Sequence, residues 1–329
     1  MIALSKSTAI SAVMIVAATL LSGSVAAAEL DLPRDGWASW EIDAMPAAKK
    51  SCCYDYRGGR TQAQACDLDG RHYSFSGDDS QSASTTARVY ALMSRGQLHR
   101  VRALDSSCPV RSKSAIADLG KIDTDLSASW LSERVQPRND LSEALLAAVA
   151  LHAGEVAKRT LYGSAQSPTD SATRKNAIFW LGQVRGIEAA GFLRTQMRED
   201  DSAEIREHAA FSLSQSDAPN RAEALIEQGR NDRSTKVRSQ AWFWLAQTED
   251  AGAEAAINAA MADEADGKVQ EQQVFALSQL PDERSAKALI GLIGNPQQPK
   301  RVRKQALFWL GQSDTPQAYQ YLDALLAGD

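Results

Sequence analysis

A heptapeptide that recurs five times in the C-terminal half of the chain decides the fold. It reads AIFWLGQ at 177–183, AAFSLSQ at 209–215, AWFWLAQ at 241–247, QVFALSQ at 273–279 and ALFWLGQ at 306–312. The phenylalanines at its third position are Phe179, Phe211, Phe243, Phe275 and Phe308, and they are spaced by 32, 32, 32 and 33 residues. A spacing this regular indicates tandem structural repeats, each packed on its neighbours.

Each repeat carries the apolar pattern of two successive helices, which we name helix A and helix B. Counted from the phenylalanine, apolar residues at −6, −2 and +2 share one face of helix A at 100° per residue. A second apolar cluster, 14 residues after the phenylalanine, predicts helix B, and turn-like stretches such as SDAPN at 216–220 separate the two. A degenerate unit with Val149 and Leu151 at the Phe and Leu positions precedes the five, so we expect about six helical hairpins.

The pattern VRxxAxxxLG followed by a second apolar helix resembles the HEAT-like repeat, in the short form of phycobilin-lyase-type proteins. The FWLGQ strings that alternate with FxLSQ are similar to a family of exported bacterial HEAT-repeat proteins with a cysteine-containing N-terminal region. This resemblance covers residues 141–329 and implies a mainly α fold, a right-handed α-solenoid that binds other molecules, usually proteins. At the family level it also implies a role in envelope signalling.

Residues 1–28 have the pattern of a secretory signal peptide. Lys6 precedes an apolar run at 9–21, and small residues lead to Ala28, after which we expect cleavage. The alternative is an uncleaved anchor, because residues 8–28 are long enough to span a bilayer. After cleavage we expect no membrane span and a location in the periplasm or outside the cell.

Residues 29–140 lack the repeat and predict a small β-rich domain. WASWEI at 37–42 and RHYSFSG at 71–77 have strand character, and two further apolar segments flank the turn at 94–97, which predicts a hairpin. Residues 123–135 predict a helix that joins this domain to the repeats. The domain is placed to cap the first repeat, since solenoid ends need covering.

All four cysteines of the chain, Cys52, Cys53, Cys66 and Cys108, lie in this domain. An even number in an exported chain predicts two disulfides, which would staple the domain. A bridge between the adjacent Cys52 and Cys53 would be strained, so each is expected to pair with Cys66 or Cys108, in either combination. The alternatives are a redox couple, which lacks the CxxC spacing, and a metal site with His72 and His99, which lacks paired ligand spacings.

The phenylalanine of each helix A points away from the core face. The glutamines four residues later lie on the same side; they are Gln183, Gln215, Gln247, Gln279 and Gln312. We interpret the phenylalanines and these glutamines as a candidate surface for a protein partner, because a regular exposed apolar stripe marks an interaction surface. The alternative is that each phenylalanine is buried between neighbouring repeats and that the glutamines cap helix ends.

Three further positions of the repeat carry structural predictions. The residue after the phenylalanine alternates between large and small, which predicts packing between repeats: Trp180, Ser212, Trp244, Ala276 and Trp309. Four of the five residues at −5 are arginines, Arg174, Arg206, Arg238 and Arg303, with Gln270 the exception. We expect these arginines to bind an acid in the preceding linker, such as Asp201 or Asp232. Helix B carries charges of both signs and predicts a solvated concave face.

Composition and motifs argue against several functions. The chain has 36 Lys+Arg and 41 Asp+Glu, and this acidic balance argues against a nucleic-acid partner. No hydrolase, metalloprotease, P-loop or dinucleotide-binding motif occurs, so we expect no catalytic residue, metal or cofactor. His208, next to Glu207 on a helix A, is expected on the surface. The sequence therefore predicts a non-catalytic exported scaffold that binds a protein; the alternatives are a lyase-type or chromophore-handling protein, and a cysteine domain that is active with the repeats as a spacer.

Overall fold

The computed structural model describes residues 30–46, 51–57, 60–70, 75–77, 84–137, 139, 141–167 and 170–327. The predicted signal peptide lies outside the described residues, and the boundaries expected at residues 28 and 140 stay predictions. Within the described ranges a strand-rich part precedes twelve helices, as the sequence predicts. None of the helices in these ranges combines the length and the apolar character needed to cross a bilayer.

The N-terminal part consists of one main sheet and two small ones. Its strands are β1 Gly36–Asp43, β2 Ser51–Arg57, β3 Arg60–Ala63, β4 Cys66–Asp67, β5 Phe75–Gly77, β6 Thr86–Ser94, β7 Gln97–Asp105, β8 Val110–Arg111 and β9 Ile116–Lys121. The main sheet has the order β7-β6-β1-β9, in which only the β1–β9 pair is parallel, and the small sheets are β3-β2-β5 and β4-β8. The predicted hairpin is β6–β7: Ser94 pairs with Gln97, and both turn residues, Arg95 and Gly96, have positive φ.

The main sheet buries both of its faces. On one face Trp40, Val89 and Val101 join the core that the helices share. On the other face Trp37, Tyr90 and Leu104 pack against the four cysteines.

The structure selects one of the two disulfide connectivities that the sequence allows. Cys52 bonds to Cys108 and Cys53 bonds to Cys66, which leaves no free cysteine. All four are buried, so the bridges fasten the small sheets to the outer face of the main sheet. Among the described residues no cluster of His, Cys, Asp or Glu is arranged to hold a metal ion; His99 is exposed, and His72 lies outside these residues.

The helices confirm the predicted hairpins. They are α1 Thr124–Ser132, α2 Leu141–Leu151, α3 Glu155–Ala165, α4 Ser171–Glu199, α5 Ala203–Ser214, α6 Arg221–Asn231, α7 Thr235–Ala246, α8 Ala253–Asp263, α9 Gly267–Ser278, α10 Asp282–Gly294, α11 Lys300–Leu310 and α12 Pro316–Ala327. α1 is the predicted joining helix, capped by the side chain of Asp123. α4 contains a non-helical residue, Arg185, which divides it into a helix A and a helix B.

Six hairpins therefore stack from α2 to α12, and their core is the one that the repeat pattern predicts. In α5 the residues at −6, −2 and +2 are Ile205, Ala209 and Leu213, and all three are fully buried. Leu225 of α6, 14 residues after Phe211, is fully buried opposite them. The equivalent positions of α7 and α9 are buried in the same way, so one packing scheme serves successive repeats.

A buried chain of hydrogen bonds joins the strand domain to the first hairpin. The Trp40 indole donates to Ser127 Oγ at 2.7 Å, and Ser127 lies 2.8 Å from His152 Nε2. The other ring nitrogen of His152 lies 2.8 Å from the Ala148 carbonyl. Burial lowers the pKa of His152 to about 4, so at neutral pH the ring is uncharged, with Nδ1–H donating to Ala148 and Nε2 accepting from Ser127. The strand domain thus covers the first hairpin, in the capping position that the sequence predicts.

Arginine–carboxylate clamps fix the linkers between repeats. Arg206 Nε and Nη2 donate to the two carboxylate oxygens of Asp232 at 2.8 and 2.9 Å, and these side chains are only 2 % and 3 % exposed. Nη1 of Arg206 donates to the main-chain carbonyls of Asp200 and Asp201. Asp232 also accepts from the main-chain N–H of Ser234 at 2.7 Å, which sets the start of α7. The Asp232 carboxylate therefore binds both the arginine of the preceding helix A and the start of the following helix A.

The clamp repeats, and it corrects one expectation. Arg238 binds Glu264 through two hydrogen bonds and Arg174 binds Asp200, so each acid lies 26 residues after its arginine. The acid therefore belongs to the following linker, whereas the preceding linker supplies carbonyl oxygens. The prediction of an acid in the preceding linker was wrong because an arginine at position −5 reaches both the linker before its hairpin and the linker after it. At the repeat where Gln270 replaces arginine, the residue 26 positions later is Pro296, so both partners are missing together.

Replacement of Asp232 by asparagine tests the clamp. Because the variant leaves a buried guanidinium without its charge partner, we expect a loss of about 3–5 kcal/mol in the free energy of unfolding, measured by urea denaturation. The matched control is Glu207→Gln, which removes an ion pair to Lys236 whose lysine is 66 % exposed and should cost less than about 1 kcal/mol. Equal losses in the two variants would contradict the assignment.

His152 gives the fold a defined pH dependence. Its pKa is about 4 in the folded chain against 6.5 ordinarily, so between these values the unfolded chain binds a proton that the fold excludes. The stabilisation is present above pH 6.5 and disappears as the pH falls through 4, by about 3 kcal/mol in total. We expect His152→Gln to lose less stability than wild type between pH 7 and 4.5. His99→Gln is the control, because this imidazole is exposed and lies outside the junction, and the variant should keep the wild-type profile. A wild-type pH profile in His152→Gln would contradict this account.

Candidate interaction surface

Each phenylalanine of the repeat lies in the C-terminal half of a helix A, and these helices pack directly on one another. α5 contacts α7, α7 contacts α9, and α9 contacts α11. The rings of successive repeats therefore come within contact distance. The B helices of successive repeats contact one another much less than the A helices do.

Eight rings form one continuous chain, which we name the aromatic ladder. In order along the molecule they are Trp180, Phe179, Phe211, Trp244, Phe243, Phe275, Trp309 and Phe308. Consecutive ring centroids are 4.7–6.1 Å apart, within the range in which aromatic pairs attract. The ladder crosses five repeats without a break.

The ladder has a period of two repeats. Phe179 stacks on Phe211 with an interplanar angle of 12°, and Phe243 stacks on Phe275 with an angle of 2°. Between these pairs a tryptophan bridges the repeats: Trp244 lies 4.7 Å from both Phe211 and Phe243. The position after each phenylalanine alternates between tryptophan and a small residue, Ser212 or Ala276, and this alternation in the sequence matches the two-repeat period of the ladder.

The burial of the phenylalanines falls between the two interpretations that the sequence left open. Phe179, Phe211, Phe243 and Phe275 are half-buried, and each ring packs on the ring of a neighbouring repeat. Phe308 is 55 % exposed, and among the described residues its ring contacts only the ring of Trp309. The ladder tryptophans are half-buried as well, so they pack between repeats as predicted but also contribute to the surface.

The glutamines at +4 line the end of the ladder helices. Gln215, Gln247 and Gln279 are the C-cap residues of α5, α7 and α9. These three and Gln312 are exposed, whereas Gln183 is half-buried inside α4. Two of them donate to a neighbouring serine hydroxyl, Gln215 to Ser214 and Gln279 to Ser278. The same glutamines can therefore occupy the C-cap positions of the helices and still form an exposed row of amides beside the ladder.

His208 lies one helical turn before Phe211 and corrects another expectation. The sequence predicts a surface residue, but the imidazole is half-buried, with its ring centroid 5.7 Å from that of Phe211. Burial lowers its pKa, so the ring is neutral at pH 7. It extends the apolar edge of the ladder rather than adding a charge to it.

The ladder can bind apolar and aromatic side chains and offer amide hydrogen bonds beside them. Rigid aromatic surface that is already packed loses little entropy on binding, which is why such residues dominate protein interfaces. Sequence reasoning named the phenylalanines and glutamines as a candidate surface, which stays a prediction, and it assigned the three tryptophans only to packing between repeats. The adjacency of Phe and Trp in FW pairs was the available signal, since neighbouring positions on a helix lie 100° apart and both reach one groove.

Comparison with known proteins supports the repeat assignment. A family model described as HEAT repeats matches residues 160–246. No curated protein matches the sequence. Among solved structures, human deoxyhypusine hydroxylase in complex with glycerol is similar at 17 % identity, over 60 % of this chain and 77 % of that chain, with a TM-score of 0.27. On the family match alone, residues 160–246 carry HEAT-like repeats.

Two ladder substitutions should differ in their effect on stability. Phe243→Ser removes a half-buried ring that stacks on Phe275 and contacts Trp244, so we expect a loss of about 2–4 kcal/mol. Phe308→Ser removes an exposed ring with one ring contact and should cost less than about 1 kcal/mol. Thermal unfolding of both variants measures the difference. A Phe308→Ser variant as destabilised as Phe243→Ser would show that the end of the ladder is covered in solution.

Proposed function

We propose that this protein is a non-catalytic scaffold that binds a protein partner through its aromatic ladder. The observation that carries the proposal is the uninterrupted chain of eight rings, seven half-buried and one exposed, beside exposed amides. A contiguous apolar strip with a polar margin is the anatomy of a protein interface. The HEAT-like repeats support the same function, because such repeats commonly mediate protein interactions.

We further propose that the protein works outside the cytoplasm, in the periplasm or the extracellular medium, and that its partner belongs to envelope signalling. Two buried disulfides support this compartment, since disulfides persist in oxidising surroundings. The signal-peptide pattern of residues 1–28 supports the same proposal from the sequence. The disulfides serve the strand domain as structural links, which favours the scaffold over a cysteine domain that performs redox chemistry.

A crosslinking pulldown with the chain from Glu29 onward tests the proposal. The ladder variant combines Phe308→Ser with Gln247→Glu and Gln279→Glu, because all three residues are exposed and their replacement leaves the core intact. The control variant combines Glu227→Gln with Lys287→Gln, two exposed positions on helices B. We expect wild type and control to recover the same envelope protein and the ladder variant to lose it.

Each other outcome has a defined meaning. Loss of the partner in the helix-B control alone would move the binding surface to the B helices and contradict the assignment to the ladder. Absence of any specific partner for wild type would contradict the scaffold itself. A coloured protein, or one that carries a bound small molecule in native mass spectrometry, would favour the chromophore-handling alternative.

A further inference from the structure

Four of the five exposed large apolar side chains among the described residues lie on the last hairpin, α11–α12. They are Phe308, Tyr319, Leu325 and Leu326, and they are 46–86 % exposed. In the four preceding repeats none of the residues at the position of Leu326 is exposed; these are Met197, Gly229, Met261 and Ile293. The end of the repeats therefore exposes apolar surface that the interior repeats cover.

This end face is the one that each earlier hairpin turns toward its successor. Phe243 stacks on the phenylalanine of the next repeat. The residue at +18 lies against the next helix A, as Gly229 of α6 does against the ring of Trp242. On the last hairpin these two positions are Phe308 and Leu326, and among the described residues no further repeat covers them.

Ion pairs between successive A helices follow the same rule. The residue at −4 of one repeat binds the residue at −7 of the next in three places: Lys175–Glu204, Glu207–Lys236 and Glu271–Arg301. Position −4 of the last repeat is Lys304, which is exposed and has no ion pair among the described residues. The end face therefore offers an aromatic ring, an aliphatic side chain and a positive charge, which other repeats use against a neighbour.

The opposite end of the repeats is already covered. Strand β7 of the strand domain packs on α2, and the hydrogen bonds of Trp40, Ser127 and His152 join the two parts. A second copy of the chain therefore has only its own last hairpin to stack on this end face. Such a contact has two-fold symmetry and closes at two copies.

Helix α11 is complementary to itself in such a contact. Its N-terminal half carries four basic residues and no acid, Lys300, Arg301, Arg303 and Lys304, whereas the exposed Asp314 follows its C-terminal end. When two α11 helices lie antiparallel with Phe308 opposite Phe308, each Lys304 lies one helical turn away, beside residues 311–314 of the other copy. There the negative pole of that helix and Asp314 attract it. The two Phe308 rings supply the next stacked pair of the ladder.

We propose that the last hairpin is the dimer interface of this protein, in which the α11 helices of two copies pack antiparallel around Phe308, with Lys304 and Leu326 beside it. The two aromatic ladders then meet end to end. Helices of 11 and 12 residues give a face of about 17 by 20 Å. Because this is small for a specific interface, we expect a reversible dimer with a dissociation constant of about 10–100 µM.

Sedimentation equilibrium of the chain from Glu29 onward, between about 1 µM and 1 mM, measures the association. We expect the average mass to rise from one chain to two and no further. Lys304→Glu and Leu326→Asp replace exposed side chains, so both variants should fold, and each should associate about tenfold more weakly. The matched controls are Lys287→Glu on α10 and Ile187→Asp on α4, which replace exposed residues elsewhere and should associate as wild type does.

A chain that stays monomeric at about 1 mM would overturn the proposal. A dimer that either end-face variant leaves unchanged, a control that weakens it equally, or an assembly of more than two copies would overturn it as well. At about 1 µM the chain is monomeric, so the small loss of stability expected for Phe308→Ser applies at that concentration. The dimer does not rest on the scaffold function: a failed ladder pulldown with intact dimerisation would contradict that function alone.

Discussion

The register of the repeats depends first on the pairing of an arginine on three of the A helices with an acid in the linker that follows its hairpin. In the Arg206–Asp232 clamp the guanidinium holds the preceding linker by its carbonyls and the following linker by its carboxylate. The same carboxylate accepts from the N–H of Ser234, the N-cap residue of the next helix. Each clamp therefore fixes where one repeat ends and the next begins. The distance and the rotation between the two successive A helices are restricted as a result. A buried ion pair adds little net stability over apolar packing, but it tolerates few alternative geometries.

Across the three clamped linkers this fixed register brings the ladder rings of successive repeats together, and the Phe275–Trp309 contact continues the ladder across the linker without a clamp. Stacked rings attract by about 0.5–1.5 kcal/mol per pair and only at particular distances, so helices free to slide would not keep rings at 5.7 and 6.1 Å in two separate pairs. The ladder in turn supplies a rigid strip for a partner, in line with the proposed scaffold function. At the N-terminal end the strand domain closes the first hairpin through Trp40, Ser127 and His152, and the disulfides brace its outer face. The strand domain thus fixes the N-terminal end of the repeats, and the clamps fix the linkers that follow.

The helical hairpins, their core and the hairpin of strands β6 and β7 could be predicted from the sequence, because each depends on a local sequence pattern. The spacing of Phe211 and Phe243 sets the repeat length, and Arg95-Gly96 marks the tight turn. Sequence reasoning could not choose between the disulfide connectivities, because Cys52 and Cys53 are equivalent until the sheets are packed. It assigned the clamp to the wrong linker, since a long arginine side chain reaches both. The pairing of Trp242 with Gly229 was also beyond it, because that contact joins a helix B to the next helix A and follows no periodicity.

Hydrogen–deuterium exchange of the linkers tests the central role of the clamps most directly. Clamped linkers at 200–202, 232–234 and 264–266 hold a main-chain N–H on the clamp acid, at Ser202, Ser234 and Asp266. The linker at 295–299 follows the repeat in which Gln270 and Pro296 replace the clamp. Its Gln297 N–H also bonds to a linker side chain, that of Asn295, so this linker is an internal control that differs from the others in lacking the arginine–acid pair. We predict slow exchange at the three clamped linkers and exchange at least tenfold faster at 295–299. Equal exchange at all four linkers would contradict the account, because the register of the repeats would then not depend on the clamps.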